Sequence, residues 1–222
     1  GPGQDLLQFC AARLTHGKPD AARRQLRMAR WLVAHGFDPR ARYIAEPESD
    51  HEPPTEVSLA WYAVARARNT TLARYFLEQG AAPHALFAAA WWGDDAIVPH
   101  LVARGADLNE RVGATPLHMA VEVARRGAAG KPEVARRRLR LIETMLRLGA
   151  DPNLPAEDRT TPLHTALKKG YLDVFRILIR NGANPDLPGR DGRTARDIAI
   201  HKRDTAWRGA LHADPRSTRR KK

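Results

Sequence analysis

Thr115-Pro116-Leu117-His118-Met119-Ala120 returns as Thr161-Pro162-Leu163-His164-Thr165-Ala166, and a weaker copy, Thr194-Ala195-Arg196-Asp197-Ile198-Ala199, begins 33 residues after Thr161. Each position in the motif has a physical reason. The Thr hydroxyl accepts from a free N–H at a helix start, and Pro at the first helical position gives up a donor that has no partner there. Leu and Ala then face a neighbouring helix. A second half-unit also recurs, a Leu-rich stretch that closes on Gly80-Ala81, Gly105-Ala106-Asp107, Gly149-Ala150-Asp151 and Gly182-Ala183-Asn184, with Gly36-Phe37-Asp38 as a degenerate version. Its apolar residues fall in pairs, Ile97/Val98 with Leu101/Val102 and Val174/Phe175 with Leu178/Ile179. Those spacings put one stripe on a second helix. Gly93 and Gly170 close the short first helix, the Gly of Gly-Ala closes the second, and Asp or Asn turns the chain onward.

Self-similarity at this period marks stacked supersecondary units. The T-P-L-H-x-A signature resembles the ankyrin-repeat family, most specifically over residues 84 to 205 and by register further upstream. The resemblance implies an all-α solenoid of about five helix pairs plus a C-terminal cap, with short hairpin or loop fingers. On this chain the pairs run from Asp5 to Pro39, Glu56 to Pro83, His84 to Asn109, Gly113 to Asn153 and Arg159 to Asp186, and the cap from Asp191 to Leu211. A single repeat domain then covers 4–212. Gly1-Pro2-Gly3 reads as an expression remnant set apart from the fold. Residues 213–222 read as a basic, disordered tail.

Three features depart from the family pattern. Gly17-Lys18-Pro19-Asp20-Ala21-Ala22-Arg23-Arg24-Gln25-Leu26-Arg27 matches Gly130-Lys131-Pro132-Glu133-Val134-Ala135-Arg136-Arg137-Arg138-Leu139-Arg140, and the constant offset continues to Gly36/Gly149. These twin insertions, near 15–25 and 125–140, read as extra turns at the start of the second helix, with Pro near the first position and an acid behind it. Between Gly80-Ala81 and His84 there is no room for a hairpin. Residues 40–55, rich in Pro and Glu, are too long for one and read as a flap.

The chain has 222 residues and a formal net charge of +12. Arg159–Lys222 holds 16 Lys/Arg against 6 Asp/Glu, whereas Glu56–Glu110 holds 4 against 6. A basic end suits an acidic partner or a nucleic acid, although the abundance of Ala and Arg throughout also fits a GC-rich genome. No apolar run reaches the length of a membrane span. Cys10 is the only cysteine, so an intramolecular disulfide is excluded and a reducing compartment is favoured.

In the ankyrin register the two positions after the T-P-L-H-x-A-A block lie on the concave surface. Here they are Arg66/Ala67, Trp91/Trp92, Glu122/Val123, Lys168/Lys169 and His201/Lys202. Trp91 and Trp92 read either as interface anchors or as indoles packed under the flap or the missing finger. Lys168, Lys169, Lys202, Arg203, Arg190 and Arg193 extend the groove with positive charge, or form the polar surface a terminal repeat needs. Arg23, Arg27 and Arg30, like Arg136, Arg140 and Arg147, form stripes on the long second helices, read as solvated faces or as phosphate contacts. The family pattern implies a structural role for His118 and His164, as hydrogen-bonding groups within and between loops. No His/Cys/Asp cluster has metal spacing. Gly127-Ala128-Ala129-Gly130-Lys131-Pro132 lacks the Ser/Thr and the preceding strand of a phosphate loop, and Cys10 has no companion that would make it a nucleophile.

The resemblance therefore implies a protein-binding module and not an enzyme, with no cofactor or metal. The implied partner is another protein, one with an acidic segment being suited to the basic positions, bound at the concave face through Trp91, Trp92, Arg66, Glu122, Lys168, Lys169, Lys202, Arg190 and Arg193. Alone the chain is expected to be a monomer. If the source is bacterial, similar proteins act as secreted effectors delivered into a host cell, as toxin-neutralising partners or as regulators of an enzyme, the latter two cytoplasmic. The alternative is a nucleic-acid binder using the basic C-terminal third.

Overall fold

The computed structural model describes residues 4–15, 18–45, 55–202 and 204–211. Gly1–Gly3, Arg203, the middle of the 40–55 segment and the tail from 213 lie outside them. Two compact units divide the chain, Gly1–Ala106 and Asp107–Lys222.

In the first unit α1 (Gln4–Ala12) is followed by α2 (Pro19–Ala34), a two-stranded ribbon, α3 (Leu59–Tyr62) with a π-helical turn over Ala63–Ala67, α4 (Thr70–Glu78), α5 (Leu86–Trp92) and α6 (Val98–Ala103). Helix α1 packs on α3 and the π-helical turn, which in turn packs on α5; α2 packs on α4, and α4 on α6. First helices thus form one row and second helices another. The second unit repeats the plan with α7 (Pro116–Glu122), α8 (Pro132–Arg147), α9 (Pro162–Lys169), α10 (Leu172–Arg180), α11 (Ala195–His201) and α12 (Thr205–Leu211). Here α9 packs between α7 and α11, and α10 between α8 and α12. Phe76 in the first unit and Phe175 in the second are fully buried. Trp207, on α12, meets the edge of Phe175 at 5.3 Å and closes that row.

One element departs from the all-α expectation. Arg42–Ala45 and Thr55–Ser58 pair antiparallel, with Arg42 opposite Ser58 and Tyr43 opposite Val57. The segment read as a flap therefore begins and ends in strands. The alternation of period two is the reason: Tyr43 and Val57 are buried, Tyr43 lying 6.1 Å from the Tyr62 ring, while Ile44 and Glu56 are exposed. Arg42 pairs with Glu56 at 2.8 Å across the outer face.

The twin insertions lengthen the second helix. Helices α2 and α8 each have 16 residues against 9 in α10, and both start on Pro with Asp20 or Glu133 in the first turn. Both also send one buried polar side chain back to the preceding loop. The Gln25 amide donates to the Arg13 carbonyl at 3.1 Å and to the Cys10 carbonyl, and its oxygen accepts from Asn69 Nδ2 at 2.8 Å. At the matching position Arg138 Nε donates to the Arg126 carbonyl at 3.0 Å. A lengthened second helix runs beside the carbonyls of the preceding segment, and these side chains satisfy them.

Replacing Gln25 with Leu keeps the volume and strips those partners. Each buried group left unpaired costs about 1–3 kcal/mol, so Gln25→Leu is expected to lower the urea midpoint by an amount equivalent to about 2 kcal/mol or more with an unchanged slope. A midpoint equal to wild type would show that the amide braces nothing.

Candidate functional site

In the first unit the sequence-selected aromatics sit at the end of α5, whose C-cap Gly93 is left-handed at φ 74°. Both Trp91 and Trp92 are half-buried. Trp92 Nε1 donates to the Ala65 carbonyl at 3.0 Å, one of the acceptors a helix end leaves unmatched, and the Arg68 guanidinium lies 3.4 Å from its ring centroid. This indole is neither free of the preceding helix pair nor fully covered. It is a wedge between successive helix pairs with one edge open.

The register behind these residues has a local cause. Ser58 caps α3, accepting from Trp61 N at 3.2 Å, and Arg68 ends the helix in the left-handed region at φ 52°. Thr161 and Gly170 hold the same two places around α9 with one residue fewer between them. The π-helical turn absorbs the extra residue and leaves Arg66 two residues before the left-handed Arg68, as Lys168 is before Gly170. Arg66 is exposed, and its guanidinium stands 5.9 Å from the Trp61 ring.

In the second unit the charged positions are partly engaged with one another. Lys169 forms an ion pair with Glu122 across the α7–α9 contact, and that hydrogen bond raises the Lys169 pKa. Arg125 pairs with Asp173 beside it. Lys202 is half-buried with Nζ 4.8 Å from the Trp207 ring centroid. Lys168, Arg190 and Arg193 are exposed. Of the positions read either as positive charge along the groove or as a polar terminal surface, Lys169 is paired with Glu122 and Lys202 lies over Trp207, while Lys168, Arg190 and Arg193 are exposed.

Beneath this surface lies a ladder of side chains that join one repeat to the next. His118 Nδ1 accepts from the Thr115 N–H at 3.3 Å within its own capping box, and its Nε2–H donates to the Thr160 carbonyl of the following loop at 3.0 Å. His164 repeats the arrangement, with Nε2 3.2 Å from the Arg193 carbonyl. Gly189 completes this second joint, since a Cβ there would stand 2.9 Å from His164 Nε2. A second set of rungs lies outside the T-P-L-H-x-A motif. Asn109 donates to the Gly149 carbonyl at 3.3 Å and accepts from Asp151 N at 2.8 Å, and Asn153 does the same to Gly182 and Asn184 at 3.1 and 2.6 Å. Their sequence signal is Gly-Ala-Asp-x-Asn, the Asn standing two residues beyond the Gly-Ala-Asp that closes each of these half-units.

Burial lowers the His118 pKa, against the raising influence of the Thr160 hydrogen bond and of Asp158. Among the described residues no group of three or more His, Cys, Asp or Glu could hold a metal ion. Cys10 is buried, and desolvation pushes its thiol up to about 11. Gly127–Pro132 follows helix α7, not a strand. No helix of the described residues is long and apolar enough to cross a membrane.

The sequence from 145 to 199 matches the family model described as ankyrin repeats (many copies). This span contains the Thr161 capping box, the His164 joint and the Asn153 rung. Residues 145–199 thus carry ankyrin repeats.

Two expectations follow from the geometry. His118 works as a neutral ring, so its contribution is present above about pH 6.5 and is lost as pH falls from there towards its lowered folded value. His118→Gln is expected to cost about 2 kcal/mol near pH 7.5 and clearly less near pH 5; an equal cost at both values would remove the neutral ring from the account. Arg68 carries a left-handed backbone that favours Gly. Arg68→Ala, which loses the contact over Trp92 and keeps the strain, should be about 1 kcal/mol less stable than Arg68→Gly by thermal unfolding. Equal melting temperatures for the two would contradict this.

Proposed function

We propose that the chain is a protein-binding module in which each unit offers the ends of its first helices, the concave side of an ankyrin stack, to a partner. One observation carries this reading. In the second unit, α7, α9 and α11 stand in a row, and their last turns bring Glu122, Lys168, Lys169 and His201 to solvent while the ladder behind them holds the spacing. A rigid row of alternating polar groups binds by complementarity without reorganising, which limits the entropic cost of association.

The exposed Lys168, Arg190 and Arg193 favour a partner segment bearing carboxylates, steered by charge and then held. Trp91, half-buried at the end of α5, is the anchor we assign in the first unit. Trp92 is tied to Ala65 and acts by positioning its neighbour. Effector, toxin-neutralising and regulatory roles are three uses of this one act of binding.

The test is quantitative affinity capture from the source cell with wild-type bait and with a bait carrying Trp91→Ala, Lys168→Glu and Arg193→Glu. A specific protein recovered by the wild type and reduced about tenfold or more by the variant, corresponding to about 1.4 kcal/mol, is expected. Equal recovery by the two baits, with the variant folded by circular dichroism, would overturn the assignment.

A further inference from the structure

The outer face of α1 and α2 carries side chains that the fold leaves uncovered. Leu6, Phe9, Leu14, Met28 and Trp31 are each more than half exposed and line one groove of about 720 Å³. The pattern is built into both helices. In α2 the positions Gln25, Ala29 and Leu32 face inward, and Met28 and Trp31 occupy a second apolar stripe. In α1, Leu7, Cys10 and Ala11 are inside, and Leu6 and Phe9 are out. An amphipathic surface helix has one apolar face; α1 and α2 have two.

The groove is also ordered and charged. Trp31 stacks on His35 with ring centroids 4.0 Å apart, and the His35 ring is fixed by its Nδ1 contact with the Trp31 carbonyl at 2.7 Å. The Arg13 guanidinium stands 5.8 Å from the Phe9 ring centroid. The charged residues lining the groove are Arg13, Lys18 and Arg24, all cations, with no carboxylate among the described lining residues.

We propose that this groove is a second docking surface, separate from the first-helix row, and that it takes an amphipathic helix of a partner protein whose apolar stripe is flanked by Asp and Glu. Two features select that occupant. The shape is one that helices already fill in this unit, because α3 and α4 receive α1 and α2 on one side and α5 and α6 on the other. At the position of Met28 in the second long helix stands Leu141, which is buried. The charge selects acids, because cations beside a desolvating apolar contact oppose a basic or a second basic chain and attract carboxylates. Exposed anchors of this kind, Trp and Phe beside Arg, are those that dominate helix-in-groove binding.

The experiment uses the full chain and two fluorescein-labelled helical peptides of about 18 residues, with the same Leu stripe at spacings of three and four, flanked by Glu in one and by Lys in the other. Anisotropy titrations are run at low and high salt, with sedimentation velocity of the protein alone. The expected result is saturable binding of the Glu peptide, at least about tenfold tighter than the Lys peptide and weakening as salt rises. Trp31→Ser and the double variant Arg13→Glu/Arg24→Glu should each lose about tenfold or more while keeping the wild-type circular dichroism, these side chains being at the surface. Absence of saturable binding, equal binding of the two peptides, or binding indifferent to Trp31→Ser would overturn the proposal. So would a dimer of the chain alone that Trp31→Ser dissolves, which would make a second copy the occupant. None of these readouts uses Trp91, Lys168 or Arg193, so failure here leaves the first-helix row to its own test.

Discussion

An imidazole that grips two repeats at once is the interaction on which the second unit depends. His118 and His164 each accept from the N-cap N–H of their own helix with one nitrogen and donate to the next loop's carbonyl with the other. Only a ring with an acceptor and a donor on opposite sides serves both ends. The Thr hydroxyl beside it completes the capping box, so helix initiation and repeat-to-repeat spacing are set by the same pair of residues. The Asn109 and Asn153 rungs do on the loop side what the histidines do at the helix starts.

The surface follows from that frame. Because the loops are locked, the last turns of α7, α9 and α11 stand at a fixed spacing, and Lys169 falls against Glu122. Exposed ion pairs of this kind contribute little to stability; their consequence is to take one cation and one carboxylate out of the free charge of the row. In the first unit the same positions are shaped by a different device. A π-helical turn shifts Arg66 into line, and Arg68 and Trp92 close over the junction.

Most of the helical plan was legible from the repeats themselves. Capping Thr, Pro at the first turn and Gly at the closing turn are local chemistry, and local chemistry survives in a single sequence. The ribbon was not recognised, because Arg42–Ala45 and Thr55–Ser58 are four residues each and flank a Pro- and Glu-rich segment that drew attention to itself. Gln25 and Arg138 were visible as matched positions in the twin insertions, yet what they brace is a loop carbonyl, and backbone partners leave no mark in sequence. The partners of Lys169 and Lys202, Glu122 and Trp207, lie in other elements, so neither pairing is visible in the lysine's local sequence. The exposed stripe of α1 and α2 was unread for a further reason: periodicity identifies an apolar face and is silent on whether anything covers it.

The claim that the His and Asn rungs make the helix pairs of the second unit open together is tested most directly by native-state hydrogen exchange. Slow amides of α7, α9 and α11 should report a common opening free energy, and His164→Ala should lower it on both sides of α9, in α7 as well as α11. Separate opening free energies for each pair in the wild type, or a His164→Ala effect confined to α9, would contradict the account.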